Sequence, residues 1–391
     1  MVGRRHALAA ATAVASMASL LVAMPASADG RSSQTTDCPA PESLVTGTDW
    51  HGHRLAPGVA LREGRHNDHN GFVDMHVLDV AVTNKHLSFA PLVRRLAQRT
   101  PLSELAAGRA SLVAATNTGY FDFDAGTPLG PLIDRKHAWL SSATMTTVVG
   151  FGTTGLVQAG QIGLAGTVTA GGNASTPLAG LNVVDPPAGV TAYTSRWGHE
   201  QIPLPRGAVS RYVKGGRVGS AVGDFDTAPA ASGYLLVARG SAATTWLSSL
   251  RQNAAVKVTR KVSSTTKRPF ASAYGVGSQL VHAGVAGTAF TCRRRYPQPA
   301  RTAIGFADGG KRLLLALVAD NPGTPMHGLD SAQMARLMKD LGAQEAYLFD
   351  GSGSTELLAR MPSNPRQLSL RTFPADGVER PLPVGFGIFR R

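Results

Sequence analysis

The sequence predicts an α+β fold: a β-rich mixed sheet with a few helices, organised as one large domain. Three observations carry this prediction. Residues 72–82, Phe-Val-Asp-Met-His-Val-Leu-Asp-Val-Ala-Val, follow the period of two expected of a strand. Between Thr144 and Lys267 short apolar segments recur, separated by Gly, Pro, Ser and Thr, and this is mostly a strand pattern. Between Thr302 and Asp350 apolar strands bracket one amphipathic helix. The composition agrees. Of 391 residues, 43% are hydrophobic and 16% charged, which excludes a disordered chain, and 44 Gly with 24 Pro imply many turns. No fixed-period repeat supports a solenoid or propeller.

From the N-terminus, Arg4 and Arg5 precede an apolar run from Ala7 to Met24, and Pro25-Ala26-Ser27-Ala28 offers small residues at a cleavage site. Residues 1–28 therefore read as a signal peptide and the mature chain as secreted; the alternative is an uncut single anchor. No later window is long and apolar enough to span a membrane. Residues 29–57, polar and broken by Pro, read as an extended leader. Residues 58–391 read as the folded domain, with a β-rich middle at about 144–267.

Within that domain a short helix is expected from Leu102 to Gly108, then a strand from Ser111 to Ala115 that runs into Asn117-Thr118-Gly119-Tyr120-Phe121-Asp122. The middle region offers strands at Val148 to Phe151, Val190 to Thr194, Tyr234 to Ala238 and Val256 to Val262. A hairpin turn is expected at Lys214-Gly215-Gly216-Arg217. Thr302 to Ala307 and Arg312 to Ala319 form strands joined at Asp308-Gly309-Gly310. A helix then opens with Asp330 as N-cap, Gln333 at the third position, and Leu329 with Met334 as staple. Met334, Leu337, Met338 and Leu341 line its buried face and Gly342 ends it. Ala346 to Phe349 is a strand that delivers Asp350 to the loop Gly351-Ser352-Gly353-Ser354-Thr355.

Lys and Arg number 39 against 25 Asp and Glu, a formal charge of +14, and the excess is mostly Arg. This favours anionic partners. Cys38 and Cys292 are the two cysteines; an even count in an exported chain invites a disulfide, with two unpaired thiols as the alternative. Without a nearby His pair they cannot make a structural zinc site.

Chemistry concentrates at three places. The loop after Asp350 can aim a carboxylate, hydroxyls and backbone N–H groups at one substrate, because Gly allows close approach and an anion-holding nest. Asn117, Asp122 and Asp124 form a second polar cluster. Asp122-Phe123-Asp124-Ala125-Gly126 is half a calcium loop, but it lacks the bidentate Glu of an EF-hand. A looser calcium site at Asp122 and Asp124 stays open, and no other metal or cofactor is expected. Arg301, just before a strand, could clamp a phosphate with its two-pronged guanidinium; the run Arg293-Arg294-Arg295-Tyr296 reads as a basic patch. No nucleophile elbow, zinc-protease motif or P-loop is present.

Taken together, Asn117-Thr118-Gly119-Tyr120-Phe121-Asp122 with Gly126-Thr127-Pro128-Leu129-Gly130, Arg301-Thr302-Ala303-Ile304-Gly305, and Leu348-Phe349-Asp350-Gly351-Ser352-Gly353-Ser354-Thr355 resemble the phosphodiester glycosidase family. The resemblance extends to Leu181-Asn182, Tyr193-Thr194, Trp197-Gly198 and Asp376-Gly377-Val378-Glu379-Arg380-Pro381, and spans about residues 58 to 391. In two places the chain departs from the family pattern. Ser352 interrupts the usual Gly-Gly-Gly-Ser run, and Thr118 and Tyr120 stand where Gly and Phe are more usual. The resemblance implies a single catalytic domain that hydrolyses a glycosyl phosphodiester in a phosphorylated glycan or cell-wall polymer, with no nucleic-acid partner. It implies Asp350, Asp122 and Asn117 as catalytic residues. Arg301, Thr302, Gly351, Ser352, Gly353, Ser354 and Arg380 would hold the substrate and its phosphate. The competing expectation is a non-catalytic binder of anionic cell-surface polysaccharide.

Overall fold

The structure, a computed structural model, describes residues 41–142, 144–171, 174–198, 201–202, 204–221, 233–288 and 298–391. The expected signal peptide, Cys38, Cys292 and the Arg293–Tyr296 run lie outside the described residues.

The chain opens with an antiparallel meander of β1 (Asp49–Ala56), β2 (Val59–Asp68) and β3 (Gly71–Ala81). The last part of the stretch expected as a leader is thus already sheet. After β4 (Leu87–Leu92), the helix α1 (Leu102–Ala106) and β5 (Leu112–Asn117) lead into the Asn117 segment. The middle of the chain is strand after strand: β6 (Leu132–Asp134), β7 (His137–Leu140), β8 (Thr147–Gly152), β9 (Val157–Ala170), β10 (Ala174–Leu181) and β11 (Gly189–Tyr193). The hairpin β12 (Val209–Lys214) and β13 (Arg217–Ala221) follows, with Lys214 opposite Arg217 and Gly215 and Gly216 both at positive φ in the turn. Then come β14 (Tyr234–Arg239), α2 (Ser241–Ser249), β15 (Val256–Ser264), β16 (Phe270–Gly275), β17 (Gln279–His282) and β18 (Val285–Ala286). The C-terminal part holds β19 (Arg301–Ala307), β20 (Arg312–Val318), α3 (Ser331–Asp340), β21 (Glu345–Leu348), β22 (Leu357–Ala359), β23 (Ser369–Leu370) and β24 (Gly385–Arg390).

These strands make three sheets. Eight strands run in the order β1-β2-β3-β20-β19-β21-β17-β18, and five in the order β23-β22-β5-β24-β4. Eleven form the third, β13-β12-β14-β11-β10-β9-β8-β16-β6-β7, with β15 also paired to β9. The fold is therefore β-rich and mixed, since β10 and β11 pair in parallel while β9 and β10 pair antiparallel. No described helix is long and apolar enough to cross a membrane.

Alternation along β20 explains its continuous apolar sequence. Leu313, Leu315 and Leu317 enter a core shared with Phe151, Tyr274 and Phe386 of the other sheets. Leu314, Ala316 and Val318 face the opposite way, into a core closed by α3. The sheet is thus covered on both faces. The helix α3 starts as its sequence predicts: the Asp330 carboxylate accepts from the Gln333 N–H at 2.8 Å and Gln333 Oε1 accepts from the Asp330 N–H at 2.9 Å. Burying Met334, Leu337 and Met338 against the sheet contributes about 2 kcal/mol each.

Both β20 and β21 pair antiparallel with β19, so they are parallel to each other with β19 between them. The ends of β20 and β21 and the start of β19 consequently lie at one edge of the sheet. Asp320, Arg301 and Asp350 all stand there.

Candidate active site

Asp350 is placed by a hand-off between two sheets. As the chain leaves β21, the Phe349 N–H donates to the Thr302 carbonyl on β19, and the next N–H, that of Asp350, donates to the Thr118 carbonyl beyond β5, both at 2.9 Å. Asn117 locks the crossing. Its side-chain Nδ2 donates to the Asp350 carbonyl at 2.8 Å and its Oδ1 accepts from Thr302 Oγ1 at 2.9 Å. Asn117 and Thr302 are both buried. Of the three residues expected to carry the chemistry, Asn117 is therefore a strut that positions Asp350, and Thr302 braces that strut.

After Asp350 the chain makes a single 3-10 turn, Ser352–Ser354. Ser352 takes φ +55°, a left-handed conformation that suits Gly better, which accounts for Gly being usual at this place in the family pattern. The loop's N–H groups are largely committed within the fold. Gly351 N–H donates to the Asp350 carboxylate at 2.9 Å, Ser352 N–H to the Ala300 carbonyl at 2.8 Å, and Ser354 N–H to the Gly351 carbonyl at 3.1 Å. This corrects the expectation of an open anion nest: these amides hold the turn and the carboxylate. Gly353 has a separate reason to lack a side chain. A Cβ there would stand 2.1 Å from the Arg380 guanidinium and 2.1 Å from the Asp376 carboxylate, which pack onto the turn.

Burial pushes the Asp350 carboxyl above the usual carboxylate range. A hydrogen bond from Ser354, the Gly351 N–H and the charges of Arg380 and Arg301 pull it part of the way back. Arg301 is anchored by one donor, its Nε–H to the Leu329 carbonyl at 3.1 Å. Arg380 is held by Asp376, with Nε 2.8 Å and Nη2 2.6 Å from the same carboxylate oxygen, and its guanidinium lies 5.3 Å from the Phe123 ring centre. Tyr120 lies within the field of Asp350 and Arg301. Its hydroxyl is pushed above its ordinary pKa, first by burial and then by the Asp350 charge.

Asp122 is placed differently from Asp350. Its Oδ1 accepts from the N–H groups of Asp124 at 3.0 Å and Ala125 at 2.7 Å, so one oxygen closes its own turn. Asp124 is exposed. Among the described residues no group of three or more His, Cys, Asp or Glu side chains is arranged to hold a metal.

Sequence reasoning passed over two carboxyls at this edge. Glu356 is fully buried; its Oε1 accepts from the Arg380 N–H at 2.7 Å, and its Oε2 has no partner among the described residues. Burial, reinforced by Glu379 and Asp376, pushes its pKa up to about 8 against the pull of Arg380. It is thus a neutral acid at pH 7 that holds the Arg380 backbone. The signal available in the sequence was an acid wedged between Thr355 and the apolar Leu357-Leu358. Asp320, at the end of β20, is likewise buried and shifted upward, with Arg301 partly offsetting the effect.

Two solved structures share this fold. One is a hypothetical protein from Synechocystis, 20% identical, with a TM-score of 0.70 and coverage of 88% of this chain and 64% of the other. This chain thus spans less than two thirds of that protein's length. The second is a protein of Burkholderia pseudomallei, 18% identical, TM-score 0.64, covering 82% of this chain and 74% of the other. The catalytic domain of zebrafish N-acetylglucosamine-1-phosphodiester alpha-N-acetylglucosaminidase also aligns, at 16% identity and TM-score 0.47, over 88% of each chain. No curated protein matches significantly. The phosphodiester glycosidase family model matches residues 213–389. The matched segment contains Arg301, Thr302, Asp350, Ser354, Glu356 and Arg380; Asn117 and Asp122 precede it.

Proposed function

We propose that the protein is an exported hydrolase that cleaves a sugar 1-phosphodiester, the bond between an anomeric carbon and a phosphate oxygen, in a glycan or cell-wall polymer. The observation that carries this reading is the setting of Asp350: a largely buried carboxyl with a raised pKa, in the field of two guanidinium groups, Arg301 and Arg380. Export is supported by Arg4, Arg5, the apolar run and Ala26-Ser27-Ala28.

The chemistry suits these groups. Water adds to the anomeric carbon, the bond from that carbon to the phosphate oxygen breaks, and a free sugar and a phosphate monoester leave. A phosphate oxygen is weakly basic, so its departure requires cations more than a proton. Arg301 and Arg380 are the groups to supply them as charge develops on it. The harder requirement is activation of the incoming oxygen. A carboxylate whose pKa has been raised is a stronger base than an ordinary one, and this is the role assigned to Asp350. Asp122, with one oxygen uncommitted, is its candidate partner. Ser354 orients the Asp350 carboxylate, and Glu356 keeps the Arg380 backbone in place.

Incubating the wild-type protein with a panel of sugar 1-phosphodiesters and simple alkyl glycosides tests the reading. Free sugar is expected from at least one phosphodiester and not from glycosides with neutral leaving groups. Release from none of the phosphodiesters would favour the non-catalytic binder of anionic cell-surface polysaccharide.

A further inference from the structure

A cleft lined by several cations and by none of the residues of the Asp350 site lies on the eleven-stranded sheet. One wall is the tip of the β6–β7 hairpin and the other is β15 with the loop after it. This cleft has a volume of about 520 Å³. Val258, Arg260, Val262 and Ser264 line it from alternate positions of β15, so they share one face of that strand. Lys136, on the hairpin, and Lys267, in the loop, contribute further positive charge. A second cleft of about 400 Å³ shares His137, Ala138 and Arg260 with the first and adds Arg135, Arg196 and Trp139, so the two form one continuous groove.

Two features mark the groove as built for an anionic chain. The first is its uncompensated charge. Arg135, Lys136, Arg196, Arg260 and Lys267 make no ion pair among the described residues, and Asp134 is the one carboxylate lining either cleft. The second is the hairpin tip. Arg135 and Lys136 sit at φ 49° and 67°, left-handed at both central turn positions, where Asn and Gly are the favoured residues. Their conformation is held from outside, because the Lys136 N–H donates to the Ala271 carbonyl at 2.8 Å. Strain accepted in order to place two exposed cations at a cleft mouth points to a task for them.

We propose that this groove is a second, non-catalytic site that holds a glycan strand with repeating phosphodiesters, the polymer form of the substrate assigned to Asp350. The identity of the strand rests on that assignment; its negative charge does not. The aromatic rings argue against a nucleic acid. Trp139 is covered by the Arg196 guanidinium at 3.7 Å, and Arg260 lies 5.9 Å from the Tyr234 ring centre, so the Trp139 face is not open for a base to stack on. None of the groove's lining residues belongs to the Asp350 site. It would therefore change how a polymer is gathered without changing the chemistry.

The test compares wild type with the variant Lys136→Gly, Arg260→Gln, Lys267→Gln. All three positions are exposed, and Gly suits the φ of residue 136, so folding should survive; unchanged Tm verifies it. The probes are a synthetic oligomer of glucosyl 1-phosphodiester units and a single-stranded DNA of equal charge, titrated calorimetrically at two salt concentrations. The variant should bind the oligomer at least about tenfold more weakly at low salt, with a shallower salt dependence. Its turnover of a single sugar 1-phosphodiester should be unchanged. Asp350→Asn should bind the oligomer like wild type. Equal oligomer affinity and salt dependence in wild type and the triple variant would overturn the proposal, and so would DNA binding as tight as oligomer binding. If wild type cleaves no sugar 1-phosphodiester yet needs these three cations to bind the oligomer, the reading of Asp350 fails and the groove stands.

Discussion

The side-chain amide of Asn117 donates to the backbone carbonyl of Asp350 across 2.8 Å, while its own oxygen accepts from Thr302. One buried residue on the five-stranded sheet thereby fixes where two segments of the eight-stranded sheet end. Asn117→Ala would leave the Asp350 carbonyl and the Thr302 hydroxyl without that partner in a buried setting. A loss of about 2–3 kcal/mol is expected, measured by denaturant unfolding. Stability within error of wild type would show that the amide is not the strut it is described as here.

Glu356 makes stability depend on pH in a defined direction. Its folded pKa, about 8, lies above the ordinary 4.5, so the folded state holds the proton more tightly than the unfolded chain does. The stabilisation is complete below about pH 4.5 and is lost as pH rises through about 8. Glu356→Gln mimics the protonated acid and keeps an acceptor for the Arg380 N–H. The Tm of wild type should fall relative to that of Glu356→Gln between pH 5 and pH 9, by a few degrees. Parallel Tm profiles would remove the buried neutral acid from the account.

Arg301→Lys keeps the charge but replaces a planar fork, anchored at Leu329, with a mobile ammonium. Turnover of a sugar 1-phosphodiester should drop at least about tenfold with little change in Tm. An unchanged rate would place Arg301 outside the site.

Ser352 holds a left-handed φ at an exposed turn position. Ser352→Gly should therefore stabilise the protein by about 0.5–1 kcal/mol, read as a small rise in Tm. Ser352→Val should lower it. A fall in Tm for Ser352→Gly would mean that the serine side chain contributes more than the strain costs.

Much of this was legible in the sequence because the signals were local. The capping residues of α3, the Gly215-Gly216 turn and the alternating strands depend on neighbours a few residues apart, and each formed where expected. Asp350 was legible for the same reason, since an apolar strand running into a Gly/Ser loop is a contiguous pattern. What escaped was non-local. That Asn117 spends its amide on residues 302 and 350 depends on two sheets meeting. That Glu356 is neutral depends on what covers it, and no sequence pattern states its burial. The Ser352 N–H looked available for an anion because its acceptor, the carbonyl of Ala300, lies some fifty residues away in the chain.

Asp350→Asn is the most direct test of the central claim. The substitution is nearly isosteric and its Oδ1 can still accept from the Gly351 N–H. It also removes a carboxyl that burial disfavours in its charged form, so the Tm at pH 7 should stay level or rise slightly. Hydrolysis of an activated sugar 1-phosphodiester should fall by roughly a hundredfold or more relative to wild type. A mutant that cleaves as fast as wild type would show that Asp350 is structural and that the chemistry resides elsewhere.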